Sequence, residues 1–128
     1  AVSLASQAKG EIISADSRQV YRGMDIGTGK DIKEYELNGS VIPYHLIDIV
    51  NAGEEYNVFE FQQDFLKAFD DIKSKGSLPI LCGGTGMYLD AALKGSHSLI
   101  LSLTDARIDP FILFISPRHL LYVTLRLP

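Results

Sequence analysis

Cysteine and positive charge are both scarce in this sequence of 128 residues. Its lone cysteine, Cys82, excludes an intramolecular disulfide framework and is typical of the reducing cytoplasm, where we expect the protein to act. Lys and Arg number 12 against 16 Asp and Glu, which gives a net charge of −4. Because phosphate contacts require clustered Lys and Arg, this negative net charge argues against a chain that binds nucleic acid by itself.

Long hydrophobic runs are absent as well. No apolar stretch approaches the roughly 20 residues that a transmembrane helix needs, and no signal peptide is visible. We therefore expect no membrane association. The apolar content of 46% is enough for one sizeable core. We expect a monomer.

Helical periods and short buried runs alternate along the first 95 residues. The predicted helices are Ala1 to Ala8, closed by Lys9-Gly10, then Val58 to Ile72, closed by Lys75-Gly76, and a helix from Gly86 to Leu93. The predicted strands are Glu11 to Ala15, Tyr44 to Val50, and Leu78 to Cys82. This alternation of strands and helices predicts an α/β fold built on a parallel sheet.

The stretch from Gly10 to Lys30 is the most informative part of the sequence. A buried strand ends there, and Asp16 follows at the carboxyl edge of the sheet, where open α/β folds bind their ligands. Ser17, Arg18 and Gln19 come next. Spacing alone favours a ligand site and a solvated loop with a helix cap at Asp16 or Ser17 about equally.

Four blocks of the sequence resemble the tRNA dimethylallyltransferase (isopentenyltransferase) family, in the order in which that family has them. The blocks are DSRQVYRGMDIGTGK at 16–30, PYHLID at 43–48, YNVFEF at 56–61 and LPILCGGTGMYL at 78–89. The resemblance covers residues 1–95 and implies a P-loop-kinase-like α/β core with a parallel sheet and flanking helices. Family members carry a strand and a phosphate-binding P-loop ahead of the first helix, so we expect this chain to start just after that loop.

Neither glycine-rich run replaces the P-loop. The first run is GTGK at 27–30. Around it, Met24 stands where the Walker A pattern needs its first Gly, and Asp31 stands where the pattern needs Ser or Thr. In 83–86, Leu89 stands where a dinucleotide fingerprint needs its third glycine. We interpret both runs as loops that let a ligand approach the backbone.

The sequence changes character after Gly95. Residues 96–110 are expected to be a remnant or replacement of the family's helical tRNA-binding insertion. Residues 111–128 match the return strand and helix of the core only weakly. Phe111 to Ile115 is predicted to be that strand, but Thr124 stands where the family has an arginine.

The reaction implied by the resemblance is transfer of a dimethylallyl group from dimethylallyl diphosphate to the exocyclic amine of the adenosine next to the anticodon in tRNA. Asp16 matches the family's motif aspartate and is expected to be the general base. The residues expected to contact tRNA are Asp16, Ser17, Arg18 and Gln19. Such contacts would hold an adenine that has left its stack.

Diphosphate binding is expected from positive charge and from N–H groups at a helix start. The candidates are Lys30, Gly84, Thr85 and Gly86. The resemblance also implies ATP-type nucleotide binding and Mg²⁺ as cofactor. No carboxylate cluster specifies a metal site, and Asp25 and Asp48 are candidates only by default. The three histidines share no ligand spacing, so His45 is interpreted as a hydrogen-bonded core residue and Cys82 as a small buried one.

Three other functions remain open. An adenylate isopentenyltransferase shares the chemistry, but the run Asp16 to Gln19 together with 25–28 favours the tRNA enzyme. A small-molecule P-loop kinase shares the fold but has no need for the Asp16 to Gln19 run. The expected absence of the P-loop and the atypical tail after Gly95 favour an incomplete, inactive copy.

Overall fold

The computed structural model describes residues 2–24, 32–83, 85–95 and 113–115. In chain order the elements are α1 (Val2–Ala8), β1 (Gly10–Ser14), β2 (Tyr21–Arg22), a 3-10 helix (Ile32–Tyr35), β3 (Glu36–Leu37), β4 (Ser40–Val41), β5 (Tyr44–His45), β6 (Val50–Asn51), α2 (Val58–Ser74), β7 (Leu78–Cys82), α3 (Gly86–Gly95) and β8 (Leu113–Ile115). Across these described ranges, no helix has the length and apolarity required to cross a membrane.

Four parallel strands form the central sheet, in the order β5-β1-β7-β8. Gly10 of β1 pairs with Leu78 of β7, and Ser14 pairs with Cys82, so the two strands end at the same level. The loops that follow β1 and β7 therefore leave the sheet side by side. The predicted α/β fold with a parallel sheet and flanking helices is confirmed.

Alternation along β1 and β7 divides the core between the two faces of the sheet. Ile13 and Leu81 lie in the cluster that contains the buried residues of α2 and α3. Ile12 and Ile80 face the other way, into the cluster that contains Ala5 of α1. The sheet is thus covered on both faces, as expected for parallel strands that read as continuous apolar runs.

The amphipathic helix predicted after Asn57 is confirmed as α2. Its start is a capping box, in which the Asn57 side chain accepts from the Glu60 N–H at 2.9 Å and the Glu60 carboxylate accepts from the Asn57 N–H at 2.8 Å. The buried face is made by residues at steps of three and four, namely Phe61, Phe65, Ala68, Phe69 and Ile72.

The prediction of one strand from Tyr44 to Val50 is wrong. Leu46 and Asp48 adopt left-handed backbone angles, with φ of 64° and 56°, which divide the run into β5 and β6. Beyond the break, the N–H groups of residues 48–50 donate to the carbonyl oxygens of Gln19 and Val20 at 2.8 to 3.0 Å. β6 then pairs with β2 instead of extending the central sheet.

Two further boundaries differ from the prediction. The turn after α1 falls on Lys9, with a φ of 53°, while Gly10 already belongs to β1. A side chain at Gly10 would lie 2.8 Å from the Ile80 side chain and 2.9 Å from the Leu78 carbonyl oxygen, so this glycine serves close strand packing. Of the strand predicted at Phe111 to Ile115, the described part is β8, and the predictions for 96–110 and 116–128 lie outside the described residues.

Candidate functional site

The ends of β1 and β7 bring two of the predicted site segments into contact. The Ala15 N–H donates to the Cys82 carbonyl oxygen at 2.8 Å, which continues the pairing one residue beyond β1. Gly83 packs directly against Ala15, because a Cβ at Gly83 would lie only 2.3 Å from the Ala15 carbonyl oxygen. Only glycine therefore lets the loop after β7 approach the loop after β1 this closely.

Asp16 begins a tight turn at this edge of the sheet. Its Oδ1 accepts from the Arg18 N–H at 2.9 Å, and its carbonyl oxygen accepts from the Gln19 N–H at 3.2 Å. Residues 17–20 form a turn and no helix starts there, so the helix-cap interpretation of Asp16 or Ser17 is wrong. The Asp16 side chain is mostly buried and keeps 14% of its surface exposed.

Arg18 is the exposed member of this turn. Its side chain is 63% exposed, and its Nε lies 3.5 Å from the Asp16 carboxylate. A cation so placed can reach a phosphate or a base without leaving the turn. Arg22, further along, donates to the Asn51 side chain at 3.0 Å and is also exposed.

Thr85 joins the two loops through its hydroxyl group. Its Oγ1 accepts from the Ser17 N–H at 3.0 Å and donates to the Ser17 Oγ at 3.3 Å. The Thr85 N–H donates to the Ala15 carbonyl oxygen at 3.2 Å. The segment predicted to contact tRNA and the segment predicted to contact diphosphate are therefore in direct contact.

Gln19 is held by a residue that the sequence did not single out. The Ser14 hydroxyl donates to the Gln19 Oε1 at 2.9 Å, and Ser14 is only 2% exposed. This bond orients the Gln19 amide so that its NH₂ group points away from Ser14. Ser14 belongs to no motif. From the sequence alone, a serine at the end of a buried strand cannot be assigned a hydrogen-bond partner.

Tyr88 lies buried close to this turn, and the sequence did not single it out. It is 4% exposed and stacks on Phe61 with ring centroids 4.1 Å apart. Burial, together with the nearby Tyr21 and Asp16, raises the pKa of the Tyr88 hydroxyl. Its place three residues after Thr85, on the first turn of α3, was the signal that could have identified it.

The predicted diphosphate contacts are only partly within the described residues. Lys30 and Gly84 lie outside them, as does the metal candidate Asp25. Gly86 is exposed and begins α3, and a Cβ there would meet no atom within 4 Å. Open space at the start of a ten-residue helix suits an anion.

The magnesium expected from the resemblance finds no set of ligands in the described part of the chain. Over residues 2–24, 32–83, 85–95 and 113–115, no three His, Cys, Asp or Glu side chains come together as a metal site. His45 instead contacts the buried Glu11 at 2.6 Å, which confirms its interpretation as a hydrogen-bonded residue. Cys82 is half-buried, and burial raises the pKa of its thiol.

Comparison with known proteins identifies the family of this chain. The model of the IPP transferase family matches residues 19–110. The tRNA dimethylallyltransferase 2 of Bacteroides fragilis is 64% identical over 95 residues, which are 74% of this chain and 31% of that protein. The tRNA dimethylallyltransferase 1 of Azobacteroides pseudotrichonymphae is 64% identical over 117 residues, or 85% of this chain and 38% of that protein. This chain thus spans well under half the length of these relatives.

Solved structures give the same result. A tRNA isopentenylpyrophosphate transferase from Staphylococcus epidermidis is 34% identical with a TM-score of 0.64, over 83% of this chain and 36% of that one. A eukaryotic dimethylallyltransferase acting on tRNA is 30% identical with the same TM-score of 0.64, over 84% of this chain and 29% of that one.

Proposed function

Because this chain belongs to the IPP transferase family, we propose that it provides the catalytic edge of a tRNA dimethylallyltransferase. The reaction moves a dimethylallyl group from dimethylallyl diphosphate to the exocyclic amine of the adenosine next to the anticodon. The observation that carries the proposal is the Ser17–Thr85 contact, which joins the Asp16 to Gln19 turn to the start of α3 at one edge of the sheet.

Asp16 acts as the general base. The adenine amine is a poor nucleophile because its lone pair is delocalised into the ring. As the nitrogen attacks the allylic carbon, the bond from that carbon to the diphosphate oxygen breaks, and the electron pair leaves with the diphosphate. The amine proton passes to the Asp16 carboxylate, which is held by the Arg18 N–H and is part of a side chain that keeps 14% of its surface exposed. Help of this kind is worth about two to four orders of magnitude in rate.

The rest of the turn holds the adenosine. The Gln19 amide, oriented by Ser14, offers N–H donors to the edge of a base that has left its stack. Arg18 is exposed and can contact the nucleic-acid backbone, while Ser17 fixes the turn against Thr85. The net charge of −4 is consistent with most of the tRNA contacts lying on other parts of the full-length enzyme.

The diphosphate lies at the start of α3 in this proposal. Gly86 offers an exposed backbone position there, and Lys30 and Gly84 are the further predicted contacts. Mg²⁺ and nucleotide binding remain expectations from the family, and because the described residues do not form a metal site, no step is assigned to a metal. We expect the protein to be cytoplasmic and monomeric, and sedimentation of the purified chain would test the oligomeric state.

The experiment is a transfer assay with labelled dimethylallyl diphosphate. The 128-residue chain is assayed alone and in place of the matching residues of the full-length Bacteroides fragilis relative, with circular dichroism to verify folding. We expect label on unmodified tRNA and none on free AMP. Label on AMP would identify an adenylate isopentenyltransferase instead. Phosphate transfer from ATP to a small acceptor would identify a kinase, and no transfer by either folded form would contradict the proposal.

A further inference from the structure

We propose that Thr85 is a positioning residue, whose hydroxyl fixes the turn of Asp16 to Gln19 relative to α3 and so fixes the general base relative to the departing diphosphate. The inference rests on the proposed function and goes beyond it. It assigns the Thr85 hydroxyl to the protein's own turn, whereas the sequence pattern predicts that Thr85 contacts the substrate.

The Thr85 hydroxyl makes two hydrogen bonds, both to Ser17. It accepts from the Ser17 N–H at 3.0 Å and donates to the Ser17 Oγ at 3.3 Å. The single proton of the hydroxyl and one of its lone pairs are thereby used. The Thr85 N–H is also used, since it donates to the Ala15 carbonyl oxygen at 3.2 Å. Residues on both sides of Asp16 are therefore tied to Thr85.

Thr85 itself belongs to a well-packed element. Its carbonyl oxygen accepts from the Tyr88 N–H at 3.0 Å, at the start of α3. Tyr88 is buried and stacks on Phe61 of α2. The Asp16 turn is thus attached to packed helices, and a site supported in this way is held more precisely than one on a free loop.

The other end of the turn is held independently. The carbonyl oxygens of Gln19 and Val20 accept from the N–H groups of residues 48–50. On the Asp16 side, where the proton is taken, the Thr85 hydroxyl holds Ser17, in addition to the backbone bonds that hold Ala15. Its loss leaves the fold intact but lets Asp16 move relative to the start of α3. A displacement of about 1 Å at a reacting group can cost on the order of a hundredfold in rate.

Two variants separate the hydroxyl from the shape of the side chain. Thr85→Val keeps the branched shape and removes the hydroxyl, while Thr85→Ser keeps the hydroxyl. The first readout is amide hydrogen exchange of Ser17 in the 128-residue chain, which needs no substrate. We expect Thr85→Val to accelerate Ser17 exchange about two- to tenfold, as fits the loss of one hydrogen bond, and Thr85→Ser to preserve the parent value. Unchanged exchange in Thr85→Val would overturn the proposal.

The second readout is the transfer reaction in the full-length framework, which is the full-length Bacteroides fragilis relative with this chain in place of its matching residues. We expect Thr85→Val to lower kcat about ten- to a hundredfold with little change in the KM for dimethylallyl diphosphate, and Thr85→Ser to restore kcat. A raised KM for dimethylallyl diphosphate at parental kcat would show a direct substrate contact and overturn the positioning role. If the parent itself transfers nothing, the proposed function fails, while Ser17 exchange still decides whether Thr85 holds the turn.

Discussion

Single side chains outside the motifs fix the orientation of motif residues. Ser14 is buried at the end of β1, and its hydroxyl fixes the orientation of the Gln19 amide. Gln19 is further fixed through its backbone, whose N–H donates to Asp16 and whose carbonyl oxygen accepts from Asp48. A residue held through its side chain and at two points of its backbone loses little entropy when it binds a base, which favours recognition.

Two substitutions test this role of Ser14. Ser14→Ala removes the hydroxyl, and we expect the KM for tRNA to rise about two- to tenfold because the amide loses its fixed orientation. Gln19→Glu keeps an acceptor for Ser14 but removes the amide N–H donors, so we expect a rise at least as large. Ser40→Ala, at an exposed serine of β4, serves as the control. Ser14→Ala kinetics equal to those of the control would show that the contact has no functional effect.

At this scale the sequence could predict the residues that carry a motif but not their partners. Asp16 to Gln19 and Thr85 stand in recognisable blocks. The partners Ser14 and Tyr88 act through contacts that depend on how a turn and a helix are placed. Nothing in the local pattern distinguishes such a serine or tyrosine from an ordinary core residue.

The elements position the site through close approach of two loops. Gly83 has backbone atoms of Ala15 at 2.3 Å from its would-be Cβ, whereas Gly86 has open space. The two glycines, three residues apart, therefore differ in their surroundings: Gly83 allows close packing, and Gly86, a predicted diphosphate contact, borders open space.

A matched pair of alanine substitutions separates these functions. Gly83→Ala is expected to force β7 and β1 apart at their ends and to lower the melting temperature by several degrees, since overpacking costs about 1 to 3 kcal/mol. Gly86→Ala is expected to leave the melting temperature within about 2 °C and to raise the KM for dimethylallyl diphosphate, because its methyl group occupies the open space. Thermal unfolding and steady-state kinetics of both variants provide the check. Equal effects of the two substitutions on stability would contradict this assignment.

The strands and helices with strong local signals were predictable, and the break after β5 was not. Residues 46–50 are almost continuously apolar, so the pattern predicts a strand. The left-handed angles at Leu46 and Asp48 arise because residues 48–50 bond to Gln19 and Val20, a tertiary contact. The local preference is overridden by a pairing that the sequence does not encode locally.

Helix α2 offers a direct test of the core assignment. Phe61 is fully buried, while Phe59, two residues earlier, is 65% exposed. We expect Phe61→Ala to lower the free energy of unfolding by about 3 to 5 kcal/mol and Phe59→Ala to change it by about 0.5 kcal/mol or less. Urea unfolding followed by circular dichroism measures both. A larger loss of unfolding free energy in Phe59→Ala than in Phe61→Ala would contradict the orientation of α2.

The whole molecule should lose stability in alkali. Burial raises the pKa of Tyr35 from 10.0 to about 12, and burial also raises the pKa of Tyr56 and of Tyr88. A raised pKa in the folded state means that the neutral phenol is favoured by folding. The stability from these groups is therefore complete below pH 10 and is lost as the pH rises through the folded values.

Melting temperatures measured across this alkaline range test the effect. We expect a decline that steepens above pH 10, and a shallower decline in Tyr56→Phe, which lacks one of the three phenols. Tyr56→Phe also loses the hydrogen bond to Asp64, so its melting temperature should be lower than that of the parent at neutral pH. A parent melting temperature that stays constant above pH 10 would contradict the burial of these hydroxyls.

The central claim is that Asp16 accepts the proton of the attacking amine, and single-turnover dimethylallyl transfer to tRNA tests it most directly. The measurement compares Asp16→Asn with the control Asp70→Asn, an exposed carboxylate of α2, in the full-length framework. We predict that Asp16→Asn lowers the transfer rate by about two to four orders of magnitude while tRNA binding is largely kept, and that Asp70→Asn has the parental rate. A parental rate in Asp16→Asn would contradict the account.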